Sequence, residues 1–351
     1  MKQLLTLAGA ALASNFTQLK RPYKVTFCIT YRCQSRCLTC SIWQIKPTNE
    51  LSLEEIQKFA QKNSYFKWVQ LTGGEPFLRS DIVEIARAFK DSCKDLYLIT
   101  MPTNSLCNPD LILKNLEEIA KLGIPRMELT VSLDGYRELH DKIRGIPGNY
   151  DKAIGIFRRV SELRKKYPNL GVFFGFTMSK FNSGLLEKTI EEVRKDIPGV
   201  RFNDFHVNLA QNSENYYKNE NDDIRPDGEA AAREIEMMLK KREKEIGMIP
   251  TIERAFLKNL IVFARTNRSP MKSRALEASL YMDSWGNVFP SIMWNRKVGN
   301  IRDTDYGLDA IWNGEEAQSV RRDVREGKEP HQWTSCEAYQ TLTGNVKSLI
   351  L

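Results

Sequence analysis

Residues 25–40 read Val-Thr-Phe-Cys-Ile-Thr-Tyr-Arg-Cys-Gln-Ser-Arg-Cys-Leu-Thr-Cys, an apolar run followed by three closely spaced cysteines. The apolar run at 25–29 predicts a β-strand whose end carries the cysteine loop. Cys33, Cys37 and Cys40 supply three thiolates from one loop, which leaves one iron of a four-iron cluster free to bind a small molecule. Two alternatives stay open at this point: a loop of unrelated buried thiols, and a zinc site completed from elsewhere in the chain.

Beyond this loop, apolar runs alternate with helix-like periodicity, the pattern of βα units that build a parallel sheet. Ser52 and Glu55 have the spacing of a capping box at the start of the first helix of this series. The pattern therefore predicts an α/β fold. Further strands are predicted at 68–71, 96–100, 127–132, 172–177 and 202–209, and helices near 80–92, 109–122, 150–167 and 183–196.

Four short motifs come at or just after the ends of these predicted strands. They read Leu-Thr-Gly-Gly-Glu-Pro at 71–76, Thr-Asn-Ser at 103–105, Ser-Leu-Asp-Gly at 132–135 and His-Asp-Lys-Ile-Arg-Gly at 140–145. Together with the cysteines, their order and spacing over roughly the first 210 residues resemble the radical S-adenosylmethionine (SAM) superfamily. The resemblance is to the subgroup with a C-terminal auxiliary-cluster domain, and Ser105 departs from the family's Thr-Asn-Gly element.

The resemblance implies an open, partial (β/α)6 barrel similar to a TIM barrel, with its active site at the carboxyl ends of the strands. It also implies one 4Fe–4S cluster held by Cys33, Cys37 and Cys40, and SAM bound at the remaining iron. Such enzymes reductively cleave SAM to a 5′-deoxyadenosyl radical. The residues expected at SAM are Gly73, Gly74, Glu75, Pro76, Asn104, Ser132, Asp134 and Arg144.

Roles for these side chains follow from the resemblance. The two glycines let the backbone approach the ligand, Glu75 accepts from the SAM ammonium, and Arg144 pairs with the SAM carboxylate. Ser132 and Asp134 are expected near the ribose or the methionine part of SAM. Two simpler interpretations stay open: an ordinary strand-ending turn for the glycines, and a surface ion pair with Asp141 or Glu138 for the arginine. No catalytic residue is identified.

The C-terminal region resembles the auxiliary-cluster domain called SPASM, or its shorter "twitch" form, as a small α+β domain. It keeps a predicted hairpin at 280–289 and a Gly-Asn-Ile run at 299–301, but it lacks most of the cluster cysteines. Serine and glutamine are poor ligands for iron–sulfur clusters, so the auxiliary cluster is predicted to be absent. Ser273, Ser291, Glu329 and Gln332 occupy the expected ligand positions, where only Cys336 remains.

These features divide the chain into four parts: an N-terminal helical segment at 1–22, the barrel at 23–210, a helical connection at 211–268 and the SPASM/twitch-like domain at 269–351. The apolar residues 4–13 imitate a secretory signal but are too short to cross a bilayer. We expect a short helix over the end of the barrel or, as the alternative, a peripheral membrane contact.

Composition narrows the function classes. Seven cysteines, three of them clustered, indicate a reducing compartment, and an oxygen-sensitive cluster indicates the cytoplasm. The net charge of +8 is modest, and the basic runs at 164–166 and 240–244 are interleaved with acids, so we expect solvated helix faces and no nucleic-acid partner.

The sequence therefore predicts a radical SAM enzyme that abstracts a hydrogen atom from a small molecule or carbohydrate. The short segment before the first strand leaves no room for a leader-binding module, which makes a peptide or protein substrate the alternative. A second alternative is a non-catalytic scaffold that binds the cluster and SAM. An electron donor such as flavodoxin or ferredoxin is the expected partner.

Overall fold

The computed structural model describes residues 1–346, and these form an α/β fold around one mixed sheet. The strand order is β6-β5-β4-β3-β2-β1-β7-β8-β9, with β6 and β9 at the two edges. Strands β1 to β6 are parallel, as predicted. The strands are β1 Lys24–Thr30, β2 Trp68–Gly73, β3 Leu98–Thr103, β4 Arg126–Ser132, β5 Leu170–Met178, β6 Phe205–Leu209, β7 Ser279–Met282, β8 Asn287–Phe289 and β9 Gly299–Asn300.

Helices alternate with the first six strands and then dominate the rest of the chain. The predicted capping box of α2 is present, since Ser52 accepts from the Glu55 backbone and the Glu55 carboxylate accepts from the Ser52 backbone. The helices are α1 Lys2–Ala13, α2 Leu53–Lys62, α3 Ile82–Ser92, α4 Pro109–Lys121, α5 Arg137–Arg144, α6 Asn149–Lys166, α7 Leu186–Asp196, α8 Gly228–Lys241, α9 Met248–Thr266, α10 Asp309–Asn313, α11 Glu315–Glu326 and α12 Ser335–Thr343.

Three local predictions differ from the structure. Residues 202–204 form a 3₁₀ turn, so β6 begins later than predicted. Strand β3 also begins later, because the Leu96 amide donates to the Cys93 carbonyl in a turn. Helix α5 was not predicted, since its eight residues contain only two apolar side chains, Leu139 and Ile143, and show no periodicity over that length.

The predicted C-terminal hairpin is present, but it continues the barrel sheet. Strand β7 pairs parallel with β1, from Lys24 opposite Ser279 to Phe27 opposite Met282, and β8 and β9 follow antiparallel. The barrel and the C-terminal region therefore share one sheet. The four sequence boundaries remain a prediction.

Buried and half-buried residues alternate along β4 and β5, because one face of the sheet packs against the helices and the other faces the inside of the barrel. On one face Met127, Leu129 and Val131 are fully buried in the apolar core that the helices cover. On the other face the half-buried residues Thr130 and Ser132 line a cavity inside the barrel. The described residues contain no helix that is long and apolar enough to cross a membrane.

Candidate active site

The three loop cysteines lie at the carboxyl ends of the barrel strands. Cys33, Cys37 and Cys40 line one cavity of about 270 Å³, and each is half-buried. The same cavity is lined by all of the predicted SAM residues except Pro76: Gly73, Gly74, Glu75, Asn104, Ser132, Asp134 and Arg144. The structure therefore brings the cysteine loop and the strand-end motifs to one place. Pro76 is buried beside them, at the start of a 3₁₀ turn.

The end of α5 holds one side of the cysteine loop. The Arg36 amide donates to the Arg144 carbonyl (2.9 Å), and the Leu38 amide donates to the Ile143 carbonyl (2.8 Å). Gly145 ends the helix with a φ of 68°, and a Cβ there would lie 2.5 Å from the Arg36 carbonyl oxygen. Only glycine satisfies both requirements.

The glycine pair after β2 holds the other side. The Gly74 amide donates to the Thr30 carbonyl (2.8 Å), and the next amide, of Glu75, donates to the Arg32 carbonyl (2.8 Å). A Cβ on Gly74 would collide with the Arg32 carbonyl, and one on Gly73 with the Thr30 carbonyl. These positions require glycine because the backbone after β2 packs directly against the start of the cysteine loop. Any close approach to a ligand would be an additional reason.

Glu75 is fully buried and joins β2 to β3. Its carboxylate accepts from the Asn104 amide (2.6 Å), the Thr103 hydroxyl (3.1 Å) and the Phe77 amide (3.2 Å). Burial raises the pKa of Glu75 to about 7, against the lowering effect of these hydrogen bonds. The side chain thus fixes the wall of the cavity. Its contact with the SAM ammonium stays a prediction.

Two polar side chains point at the thiols. The Asn104 amide nitrogen Nδ2 lies 3.7 Å from Cys33 Sγ, and Arg144 Nη1 lies 3.7 Å from Cys37 Sγ. Donors at this position favour the thiolate form that binds iron. Burial raises the pKa of Cys33 to about 11, so ligation has to release a proton there.

Arg144 forms an ion pair, but with a partner that differs from those considered in the sequence. Its Nε lies 2.7 Å from Asp134 Oδ2, and both side chains are largely buried. Burial lowers the pKa of Arg144, yet Asp134 and Cys37 outweigh it and raise the pKa above its ordinary value. The surface pair with Asp141 or Glu138 is therefore wrong, because Asp141 instead accepts from the Gly148 and Tyr150 amides.

Asp134 is fixed by the end of β5 and by helix α5. Its Oδ1 accepts from the Thr177 amide (2.9 Å), and its own amide donates to His140 Nδ1 (3.0 Å). Burial, together with the charge of Arg144, lowers the pKa of His140 to about 3, so the imidazole is a neutral acceptor. Asp134 thus positions Arg144.

Two tyrosines that were not predicted as site residues close the cavity. The polar loop at 211–227 places Tyr216 and Tyr217 on its wall. The Tyr216 hydroxyl donates to the Gly73 carbonyl (3.0 Å), and the Tyr217 carbonyl accepts from the Ser41 amide (2.8 Å). The aromatic pair within an otherwise polar loop was the available clue.

The radical SAM superfamily model matches residues 27–193, which contain the three loop cysteines and all of the predicted SAM residues. This stretch is a radical SAM domain. An AdoMet-dependent heme synthase of Methanosarcina barkeri is 26% identical over 325 residues, which cover 88% of this chain and 86% of that protein.

Two solved structures share the fold. Streptococcus suis SuiB bound to S-adenosylmethionine has a TM-score of 0.61 at 16% identity, over 91% of this chain and 72% of that chain. The structure of anSMEcpe with bound AdoMet has a TM-score of 0.60 at 13% identity, over 94% of this chain and 98% of that chain. The predicted partial barrel is confirmed, and the chain is an enzyme that contains a radical SAM domain.

The residues present fit the 4Fe–4S cluster and the SAM that radical SAM enzymes use. Three soft thiols face one cavity, with Asn104 and Arg144 directed at two of them. Within residues 1–346, no three Cys, His, Asp or Glu side chains converge closely enough to hold a single metal ion. Bound together, the cluster and SAM supply a 5′-deoxyadenosyl radical.

A second, larger cavity lies at the other end of the barrel interior. Its volume is about 730 Å³, and it extends to the amino ends of the strands, where Trp68, Arg126 and His206 line it. Helix α1 lies at this end, as the sequence predicted. The two cavities share four wall residues: Gln70, Thr100, Thr130 and Ser335.

The predicted auxiliary-site positions are brought together only in part. The Ser273 amide donates to Glu329 Oε1 (2.9 Å), whereas Ser291 accepts from Asn215 through its carbonyl (3.1 Å). Cys336 lines the cysteine cavity and accepts from Gln70 Nε2 (3.4 Å). The one retained cysteine of the SPASM-like pattern thus faces the radical SAM site.

Proposed function

We propose that this enzyme uses the radical from SAM to abstract a hydrogen atom from a small molecule held inside the barrel. The observation that carries this proposal is the second cavity, which meets the cysteine cavity along a shared wall. A molecule in the larger cavity can place a carbon–hydrogen bond at the shared wall, next to the cavity that is lined by the predicted SAM residues. The hydrogen atom passes to the 5′-deoxyadenosyl carbon, which leaves 5′-deoxyadenosine and a substrate radical.

The chain's own residues orient SAM in this proposal. Arg144, held by Asp134, binds the SAM carboxylate, and Asn104 and Ser132 contact the rest of the ligand from the strand ends. Glu75 keeps the Asn104 backbone in place and lies next to the SAM ammonium. One electron per SAM cleaved comes from a donor such as flavodoxin or ferredoxin, and the oxygen-sensitive cluster suits the cytoplasm.

The lining of the larger cavity favours a small molecule with a flat or apolar body over a carbohydrate. Phe173 stacks on His206 with ring centroids 4.2 Å apart, and both rings line the cavity together with Trp68 and Tyr97. Such walls suit a ligand with a flat or apolar body. A heme synthase among the relatives, matched over most of its length, is consistent with this class.

A peptide substrate remains the second candidate. SuiB, which shares the fold, has also been solved bound to the precursor peptide SuiA. The two candidates differ in where the substrate must reach: a peptide approaches the cysteine cavity from outside, whereas a small molecule fills the barrel.

A deuterium-transfer assay separates the candidates. Cells grown in D₂O yield an extract that is split by size into small-molecule and peptide fractions. Each fraction is incubated anaerobically with the reconstituted enzyme, SAM and dithionite, and deuterium in 5′-deoxyadenosine is measured by mass spectrometry. We expect deuterated 5′-deoxyadenosine only with the small-molecule fraction, because the proposed substrate is a small molecule.

Variants at the shared wall provide the control. Thr130→Phe places a ring between the two cavities, whereas Thr130→Val keeps the size of the side chain. We expect Phe to abolish deuterium transfer while 5′-deoxyadenosine still forms, and Val to leave transfer intact. Transfer from the peptide fraction alone, or full transfer in Thr130→Phe, contradicts the proposal.

A further inference from the structure

Helix α1 exposes an apolar face to solvent. Leu5 and Leu12 are 65% and 51% exposed, and Phe16, in the turn after the helix, is 76% exposed. Met1, Leu5 and Leu12 recur at helical spacing on one side of the chain. Several large apolar side chains exposed on one face of a helix indicate a surface that binds another protein or a membrane.

A neighbouring face of α1 lies against the mouth of the larger cavity. Leu4, Leu7 and Ala11 line that cavity, and Ala11 packs against Tyr23 and Ala278. The helix is therefore anchored to the barrel through one face, and its apolar outer face stands directly beside the opening.

A second apolar element borders the same opening. Met248 and Ile249, at the start of α9, line the cavity and are 50% and 42% exposed. The preceding Ile246 is fully exposed. Apolar side chains thus project on both sides of the mouth, from α1 and from the start of α9.

Basic side chains complete the rim. Arg164, Lys240, Lys244 and Arg254 line the cavity, and none of them forms an ion pair within the described part of the chain, 1–346. Three acids that line the same cavity, Asp204, Glu243 and Glu245, share the single cation Arg201 (3.3, 3.0 and 3.5 Å). Arg164 from the first basic run and Lys240 and Lys244 from the second therefore lie at one opening.

We propose that this rim docks on the surface of an anionic phospholipid bilayer, with the mouth of the larger cavity facing the membrane. Apolar side chains beside uncompensated cations are the combination that binds an anionic membrane interface. The apolar residues enter the boundary between head groups and acyl chains, and the cations contact the lipid phosphates. This inference concerns docking and does not depend on which substrate the enzyme uses.

Vesicle sedimentation tests the proposal with the reconstituted full chain. We expect binding to vesicles of mixed phosphatidylglycerol and phosphatidylcholine, weaker binding to phosphatidylcholine alone, and loss of binding in high salt. The triple variant Leu5→Ser, Leu12→Ser, Phe16→Ser and the double variant Lys240→Glu, Lys244→Glu should each lower vesicle partitioning about tenfold or more.

The matched control is Leu111→Ser, an equally polar change at a 45% exposed leucine on α4. It should leave vesicle binding unchanged, and thermal unfolding should verify that every variant is folded. Absence of binding to phosphatidylglycerol vesicles overturns the proposal, as does an equal loss in the control. A dimer seen by light scattering that the triple variant dissociates also overturns it, because the apolar face then covers a second copy of the chain.

Discussion

Ser105 occupies a backbone conformation that favours glycine. Its φ is 64°, the residue is fully buried, and its hydroxyl has no hydrogen-bond partner in residues 1–346. The resembled family has glycine here, so this chain accepts left-handed strain and a buried unpaired hydroxyl at the edge of its active site.

We predict that Ser105→Gly raises the free energy of unfolding by about 1 kcal/mol, because it removes both the strain and the unpaired hydroxyl. Chemical denaturation measures the change. Ser105→Ala is the control, since it removes the hydroxyl but keeps the Cβ and the strain. Equal stability of the glycine and alanine variants would show that the backbone strain is not significant.

His140 makes stability depend on pH. Its folded pKa of about 3 lies below the ordinary value of 6.5, so the unfolded chain binds a proton that the folded chain does not. The stability that neutral His140 provides is complete above pH 6.5 and is lost as the pH falls toward 3. Glu75, with a raised pKa of about 7, acts in the opposite direction, because its contribution is lost as the pH rises.

Comparison of wild type with His140→Gln isolates the histidine. From about pH 7 to about pH 5, wild type should lose more unfolding free energy than the variant. The comparison is made by denaturant titration at each pH. Parallel pH profiles for the two proteins would contradict the buried, neutral state of His140.

At the scale of elements, the cysteine loop depends on two clamps, the glycine pair after β2 and the end of α5. We predict that Gly145→Ala reduces the iron bound after anaerobic reconstitution to less than about half, since its Cβ would press on the Arg36 carbonyl of the cysteine loop. Iron and sulfide analysis measures the loss.

Gly148 supplies the matched control for this prediction. It has a similar φ of 77°, but a Cβ there meets no atom within 4 Å. Gly148→Ala should therefore cost about 1 kcal/mol of stability from backbone strain while iron binding is kept. Equal iron loss in both variants would mean that strain alone, and not the contact with the loop, affects the cluster.

The sequence predicted the elements wherever the signal is local. Six strands, the capping box of α2 and the hairpin at 279–289 have periodicity or turn chemistry within a few residues. The parallel pairing of β7 with β1 joins residues far apart in the chain and leaves no local pattern. The alternating polar residues of β4 were a missed signal, because parallel strands buried on both faces are apolar throughout.

At the scale of the whole molecule, the fold gathers motifs from four strand ends into one cavity, which the order of the motifs made predictable. The partners within the site were not predictable. Asp134 rather than Asp141 pairs with Arg144, and Cys336 faces the main site, because both depend on three-dimensional packing. The absence of an auxiliary cluster stays a prediction, with Ser273 and Glu329 in contact but Ser291 bonded elsewhere.

The most direct test of the central claim is the iron content and SAM cleavage of the anaerobically reconstituted protein. We predict about four irons per chain and reductant-dependent formation of 5′-deoxyadenosine, both lost when Cys33, Cys37 and Cys40 are replaced by alanine. About eight irons per chain, or a cluster that survives the triple replacement, would contradict the assignment of one cluster to these three cysteines.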